Sequence, residues 1–349
     1  LFQFITISPD ICTTTANTQG ICYSAADCTN LQGTASGTCA AGFGVCCTFT
    51  RNCESSTNVN GTLFQNPEYP SATTTAPGSC KLTVVPVNEN ICQIRLDLME
   101  FTLAQPDENG VCADDFLQVT GGTTTIPAIC GQNNLQHMYV EVSPGSGSVS
   151  INVDTFTAGA KWNISVTQIE CSSPYRAPAG CLQYFTNTHG TIKSFNYDAT
   201  TFTSPTTPPP ATTPTTQLAS QVYGVCIKSQ SGYCSVAYTK TSATPNDYTF
   251  SLSDDPGPLP VGAIGSIGST DCTTDYLMIP MGIITNVPAY PATSADRYCG
   301  INFPSKVETS IQPFALYVVT DDTETNYADP ALNDGPNVGF SIDYRMKAC

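Results

Sequence analysis

Cys112-Ala113-Asp114-Asp115-Phe116-Leu117 and Cys272-Thr273-Thr274-Asp275-Tyr276-Leu277 carry one pattern twice, Cys-x-x-Asp-aromatic-Leu. The repetition spreads outward from both hexapeptides. Gly61-Thr62-Leu63 is answered by Gly190-Thr191-Ile192, and Cys130-Gly131 by Cys299-Gly300. Cys53, Cys80, Cys92, Cys112, Cys130 and Cys171 correspond in order and local context to Cys181, Cys226, Cys234, Cys272, Cys299 and Cys349. A cysteine order kept together with its flanking residues is the mark of an internal repeat, so two copies of one module follow each other. The second copy is longer in two places. One insertion holds Thr203-Ser204-Pro205-Thr206-Thr207-Pro208-Pro209-Pro210 and continues through Ala211 to Thr216, a Thr/Pro tract that reads as an extended loop suited to O-glycosylation. The other runs from Asp254 to Asp271 and contains Pro256-Gly257-Pro258, again loop chemistry.

Within the copies, Ile94-Arg95-Leu96-Asp97-Leu98, Val149-Ser150-Ile151-Asn152-Val153, Trp162-Asn163-Ile164-Ser165-Val166 and Phe340-Ser341-Ile342-Asp343-Tyr344 alternate apolar with polar residues. Half-buried antiparallel strands alternate in this way. Pro-Gly, Gly-Gly, Asn-Gly and Pro-Asp breakers separate them, and no stretch sustains a capped 3.6-residue apolar period. The expectation is an all-β protein with almost no long helix.

The chain has 349 residues, more than one small domain holds, and its 18 cysteines are an even number. A reducing cytosol does not keep so many thiols paired; the extracellular space does. Zinc ligation is disfavoured, because there are only two histidines and no paired Cys-x-x-Cys knuckles. The balance of 28 acidic against 12 basic residues, a net charge of −16, repels phosphate backbones and anionic lipid, which excludes nucleic acid as a partner. Only 11% of residues are charged, so solubility rests on hydroxyls, amides and attached sugar. No apolar run approaches the ~20 residues that span a bilayer, and no signal-peptide pattern opens the chain, which reads as a processed, secreted protein.

These features together resemble the CUB family, compact antiparallel β-sandwiches of extracellular proteins. The resemblance covers roughly residues 53–349 and rests on an opening Cys followed by Gly-Thr-apolar, a second Cys before a strand, Cys-x-x-Asp-aromatic-apolar, Cys-Gly, and a closing strand at Trp162-x-Ile164 or Gly339-Phe340. Six cysteines taken alone allow about 15 connectivities. The family resemblance implies Cys53–Cys80, Cys112–Cys130, Cys181–Cys226 and Cys272–Cys299, and leaves Cys92 with Cys171 and Cys234 with Cys349 as an extra pair in each copy. The first six cysteines, Cys12-x9-Cys22-x5-Cys28-x10-Cys39-x6-Cys46-Cys47, resemble the clip domain of secreted arthropod proteins. That resemblance implies Cys12–Cys46, Cys22–Cys39 and Cys28–Cys47, three bridges that offset the small core of so short a module by about 2–4 kcal/mol each. The whole arrangement is similar to secreted arthropod CUB-domain proteins. The reading is therefore an extended segment at 1–11, a clip-like module at 12–50, and two tandem β-sandwich, CUB-like jelly-roll domains at 51–173 and 174–349, the second with a Thr/Pro-rich loop at 201–217.

Clip domains often precede serine proteases, which need a histidine to take the serine proton and a Gly-flanked serine. The two histidines stand in Gln136-His137-Met138-Tyr139 and Thr188-His189-Gly190, contexts unlike a catalytic one, and read as a half-exposed strand residue and a loop residue. No His-Glu-x-x-His helix is present to hold a catalytic zinc. No enzyme is expected. Ca²⁺ is the candidate cofactor: the resemblance implies a cation held by clustered acids on adjoining loops, which in turn recruits a basic side chain of a partner. Hard cations take oxygen ligands. The Cys-x-x-Asp ligand maps to Asp115 and Asp275. In the second module Asp254, in Ser253-Asp254-Asp255, and Asp321, in Thr320-Asp321-Asp322, complete the set. The first module has Phe101-Thr102-Leu103-Ala104-Gln105 where an acid should stand, with Glu108 displaced, so Asp115, with Asp154, is the weaker site and reads as a turn residue. Asn60-Gly61-Thr62 and Asn163-Ile164-Ser165 are N-glycosylation sequons.

The function expected is extracellular binding or adhesion, with a protein or a glycan as partner and secretion as the localisation. Two alternatives stand beside it. Leu1-Phe2-Gln3-Phe4-Ile5-Thr6-Ile7 is uncharged and β-prone, so residues 1–8 could add to a sheet edge of a second copy and build a matrix or filament. The clip resemblance alone suggests a non-catalytic regulator of a clip-protease cascade.

Overall fold

The computed structural model describes residues 7–15, 18–145, 147–197, 216–241, 249–252, 266–285, 293–300, 303–322, 324 and 337–349. Residues 1–6 of the N-terminal segment, Asp254 and the Thr/Pro tract as far as 215 lie outside these. The architecture is nearly all β, with curled sheets and, among the described residues, a single short α-helix, Ala25–Asn30. Ser24 caps that helix by accepting from the Asp27 backbone N–H at 3.0 Å.

The cysteine-rich N-terminal part is a small sheet of Ile11–Thr13, Gln19–Tyr23, Thr34–Cys39 and Gly44–Arg51. Disulfides join Cys12 to Cys46, Cys22 to Cys39 and Cys28 to Cys47. Its core is little more than Cys28, Cys47, Phe49 and Val59, which is why a chain segment this short depends on cross-links. It is not a separate bead. Phe49, Thr50 and Arg51 run parallel to Thr62, Leu63 and Phe64, so the small sheet continues into the sandwich that follows.

That sandwich packs Thr62–Gln65, Lys161–Glu170, Ile91–Thr102 and Gln136–Glu141, in that spatial order, against Ser55–Thr57, Gly78–Val84, Val149–Thr155 and Phe116–Thr120. The alternation read in the sequence is the alternation of burial. Trp162, Ile164 and Val166 are fully buried, whereas Asn163, Ser165 and Thr167 face outward. The second sandwich repeats the order strand for strand: His189–Lys193, Gly339–Ala348, Tyr233–Lys240 and Val307–Thr309 in one layer, and Cys181–Phe185, Val222–Ile227, Phe314–Val319 and Tyr276–Ile284 in the other. In both, the first strand of the second layer pairs in parallel with its neighbour, Ser55–Thr57 with Gly78–Val84 and Cys181–Phe185 with Val222–Ile227. In the second sandwich Tyr276–Ile284 is long enough to reach Val307–Thr309 as well, which joins the two layers into one curled sheet.

Six disulfides sit at matching places: Cys53–Cys80 with Cys181–Cys226, Cys112–Cys130 with Cys272–Cys299, and Cys92–Cys171 with Cys234–Cys349. The last two tie the starts of Ile91–Thr102 and Tyr233–Lys240 to the residues that follow their neighbours Lys161–Glu170 and Gly339–Ala348. They also close the longest loops, 79 and 115 residues, where chain-entropy reasoning gives a cross-link its largest effect.

The two sandwiches share a polar junction. Asn196 is fully buried: its side-chain oxygen accepts from Gln132 N at 2.8 Å, its amide donates to Gln105 Oε1 at 3.0 Å and Thr216 O at 2.9 Å, and its own N–H donates to Asn133 Oδ1 at 2.7 Å. Gly131 makes this possible. A Cβ there would lie 2.0 Å from Asn196 Oδ1, on a backbone at φ +72°. Gln93 clasps Ala177 through both backbone groups, at 2.8 Å each, and the junction mouth is a groove of about 270 Å³ between Tyr139 and Tyr317.

Candidate functional site

Asp115 and Asp275 each follow a disulfide-bonded cysteine by three positions and precede a strand, so each carboxylate turns inward at the end of its sandwich; both are 1% exposed. Their surroundings differ. Asp115 Oδ1 accepts from the N–H groups of Phe156 and Thr157 at 2.8 and 3.2 Å, and Oδ2 accepts from Ala104 N and the Thr157 hydroxyl at 3.1 and 2.9 Å. Four donors satisfy the carboxylate within its own sandwich. Glu108 is exposed, and Asp154 accepts from Asn152 Nδ2 at 2.6 Å, so neither is assembled with Asp115. A cation would have to displace amide donors that hold three segments together, and the residues of the first sandwich do not fit one.

Around Asp275 a second buried acid, Glu324, stands close by. Asp275 Oδ1 accepts from Asp321 N at 2.7 Å, and Oδ2 from Gln217 Nε2 at 3.1 Å. The same Nε2 donates to Glu324 Oε1 at 2.8 Å, and Asn337 Nδ2 lies 3.5 Å from Glu324 Oε2. Asp275, Glu324 and Gln217 are 1%, 1% and 2% exposed. One amide thus stands between two buried carboxylates, while its other end, Gln217 Oε1, is buried with no partner among the described residues. Burying two like charges around a neutral donor is costly, and an orphaned carbonyl oxygen adds to the cost. A divalent cation answers both, because turning the amide would present a third oxygen beside the two carboxylates. Of the sequence-assigned ligands, Asp321 contributes its backbone N–H, and Asp254 falls outside the described residues. Glu324 and Gln217 had no signal of their own: Gln217 ends the tract expected as loop, yet Thr216 and Gln217 are buried because they reach the junction and this acidic cluster.

The cluster is also covered. The Asp107–Val111 turn of the first sandwich lies over it, with Ala219 N donating to Gly110 O and Glu324 N to Asn109 O, both at 2.9 Å. A Cβ at Gly110, φ +75°, would meet Glu324 Cγ at 2.3 Å, so only glycine closes this cover.

His137, read as half-exposed, is half-buried on its strand, where the second sandwich packs against it: Nε2 accepts from Tyr184 N at 3.0 Å, and its ring lies 5.1 Å from that of Phe185. Burial, and after it the Arg95 guanidinium, push its pKa down from 6.5 to about 4. His189 is exposed beside Thr188. Asn60 Oδ1 accepts from Gln168 N at 2.7 Å, and the residue is half-buried, whereas Asn163 lies between Gln65 and Tyr69 on the outer sheet face. Among the described residues no helix is long and apolar enough to cross a membrane.

The sequence of residues 178–347 matches the family model described as the animal CUB domain. The second sandwich is a CUB domain. CUB domains are, as a class, protein-binding modules of extracellular proteins and are generally non-catalytic, and the disulfide content of this chain agrees with such a location. Comparison with curated proteins returns no match. Among solved structures, the chain is similar to the CUB1-EGF-CUB2 region of human MASP-1/3 at 17% identity and a TM-score of 0.26, covering 82% of this chain and 98% of that one. The MASP-1 CUB2 domain bound to Ca²⁺ gives 16% and 0.27, over 33% of this chain and 98% of that. The full extracellular region of zebrafish Gpr126/Adgrg6 gives 10% and 0.29, over 85% and 37%. At such scores the assignment rests on the sequence match of residues 178–347 and on the strand order, not on these likenesses.

Proposed function

We propose that the chain is a secreted, non-enzymatic binding protein in which a clip-like module at 12–50 and two CUB domains, at 51–173 and 174–349, act as one rigid body. Calcium belongs to the second CUB domain alone. Asp275, Glu324 and Gln217 would hold it, with Asp321 and Asp254 on the adjoining loops, and the cation would supply fixed positive charge to the acidic cluster. The observation that carries this reading is Gln217, whose one amide nitrogen serves two buried carboxylates while its oxygen has no partner among the described residues. Because the Asn109–Gly110 turn covers the cluster, the bound ion clamps the two CUB domains, and an extracellular protein or glycan is met by other surfaces. Asn60 is the better glycan carrier of the two sequons.

Light scattering across a concentration series, in Ca²⁺ and in EDTA, tests the reading. A monomer of constant mass in both is expected. A large homo-oligomer would instead favour assembly through residues 1–8, and an oligomer that needs calcium would move the ion from the internal junction to a contact between chains.

A further inference from the structure

In the first sandwich the strand Thr62–Gln65 does not end its sheet, because Phe49, Thr50 and Arg51 of the cysteine-rich module run beside it in parallel. The corresponding strand of the second sandwich, His189–Lys193, pairs with Gly339–Ala348 on one side. Among the described residues no strand lies on its other side. An open edge offers backbone N–H and C=O groups to any incoming strand, and proteins usually guard such an edge with charge. Here the guard is cationic. His189, Thr191 and Lys193 are exposed in alternation around buried Ile192, and the register sets His189 opposite Arg345 and Thr191 opposite Asp343. Lys347 follows on the same strand as Arg345, and Lys306 stands across the sheet.

His189, Thr191, Lys306, Arg345 and Lys347 line a groove of about 540 Å³. In a chain of 12 basic and 28 acidic residues, Lys193, Lys306, Arg345 and Lys347 gather a third of all Lys and Arg on one sheet face. The acids on that face are already engaged: Glu308 with Lys347 at 2.7 Å and Lys306 at 3.4 Å, and Asp343 with the Thr191 hydroxyl at 2.6 Å. Arg345 is exposed and pairs with no carboxylate among the described residues, and Lys193 Nζ rests 5.7 Å over the Tyr197 ring.

We propose that the His189–Lys193 edge accepts an extended acidic polypeptide segment as an added parallel strand, its alternate carboxylates lying over His189, Lys193 and Arg345. Alternate side chains of a strand project to one side about 6.8 Å apart, twice the rise per residue, the spacing at which Arg345 and Lys347 follow each other on the adjoining strand and half the spacing of His189 and Lys193 on the edge strand itself. The first sandwich supplies the precedent for the geometry, and charge complementarity chooses the occupant: an uncharged strand would have to desolvate Lys193, whereas an acidic one pairs with it.

The test uses the full chain in EDTA, so that its outcome is independent of the calcium cluster. A fluorescein-labelled dodecapeptide of alternating Glu and Thr is titrated by anisotropy, beside the same peptide N-methylated at alternate residues and one of alternating Lys and Thr. Binding of the Glu-Thr peptide is expected to weaken at least about tenfold in the Arg345→Glu, Lys193→Glu double variant, and to be lost on N-methylation or on exchange of Glu for Lys. Both substituted side chains are solvent-exposed, so folding is not at issue. Equal binding of the N-methylated peptide would reduce the site to charge alone and overturn the strand addition. Failure of the peptide to bind, or binding only of a heparin-derived hexasaccharide run in parallel, would overturn it as well.

Discussion

The two sandwiches have the same strand order and three disulfides at the same places, yet each of their two equivalent surfaces is used differently. At the edge, the first copy is closed by Phe49–Arg51, and among the described residues the second is open. At the acidic end, Asp115 is satisfied by four donors of its own domain, while Asp275 shares one glutamine with Glu324 beneath a turn of the neighbouring copy. Duplication thus frees one copy to become scaffold. The first sandwich has its edge filled and its aspartate turned into an internal clasp, and it spends its Asn109–Gly110 turn and its Gln136–Glu141 strand on holding the second.

The comparison breaks most visibly at the aspartates. Asp115→Ala leaves three backbone N–H groups and a hydroxyl without their acceptor inside a closed domain, and should cost about 4 kcal/mol in chemical denaturation. Asp275→Ala in EDTA should cost about half as much, because Gln217 keeps Glu324 as a partner and relief of carboxylate crowding offsets part of the loss. Equal losses would erase the distinction between clasp and cluster.

A smaller effect sharpens the junction. His137 faces Arg95 and Asp97 from the neighbouring strand and Tyr184 and Phe185 from the second sandwich. Its pKa is depressed in the folded state to about 4, so between about pH 6.5 and 4 the unfolded chain binds a proton that the folded chain does not. Its contribution is complete above the unfolded pKa and falls away as the pH drops toward the folded one, by up to about 3 kcal/mol. His137→Gln, whose side-chain oxygen can still accept from Tyr184 N, should flatten that part of the stability profile. A variant with the wild-type slope between pH 6.5 and 4 would place the responsible proton elsewhere.

The fold class was legible because burial follows the local alternation: Trp162-Asn163-Ile164-Ser165-Val166 states in sequence which side chains meet the core. The Cys-x-x-Asp spacing leads to Asp115 and Asp275, both of which the structure buries. What surrounds them had no local mark. Gln217 and Glu324 arrive from distant segments through packing, and a parallel pairing such as Phe49 with Thr62 has no turn or hairpin signature to announce it. The partial exposure of His137 was legible from its strand position, but a strand's period does not tell that the second sandwich supplies Tyr184 N to its ring.

Calorimetric titration of Ca²⁺ into the wild-type chain, Asp115→Asn and Asp275→Asn tests the asymmetry between the copies most directly. The prediction is one site per chain with a dissociation constant of about 10⁻⁴–10⁻³ M, the range of extracellular modules, retained in Asp115→Asn and lost in Asp275→Asn. Two sites, or a single site that survives Asp275→Asn and disappears with Asp115→Asn, would contradict it, as would the absence of any calcium heat in the wild-type protein.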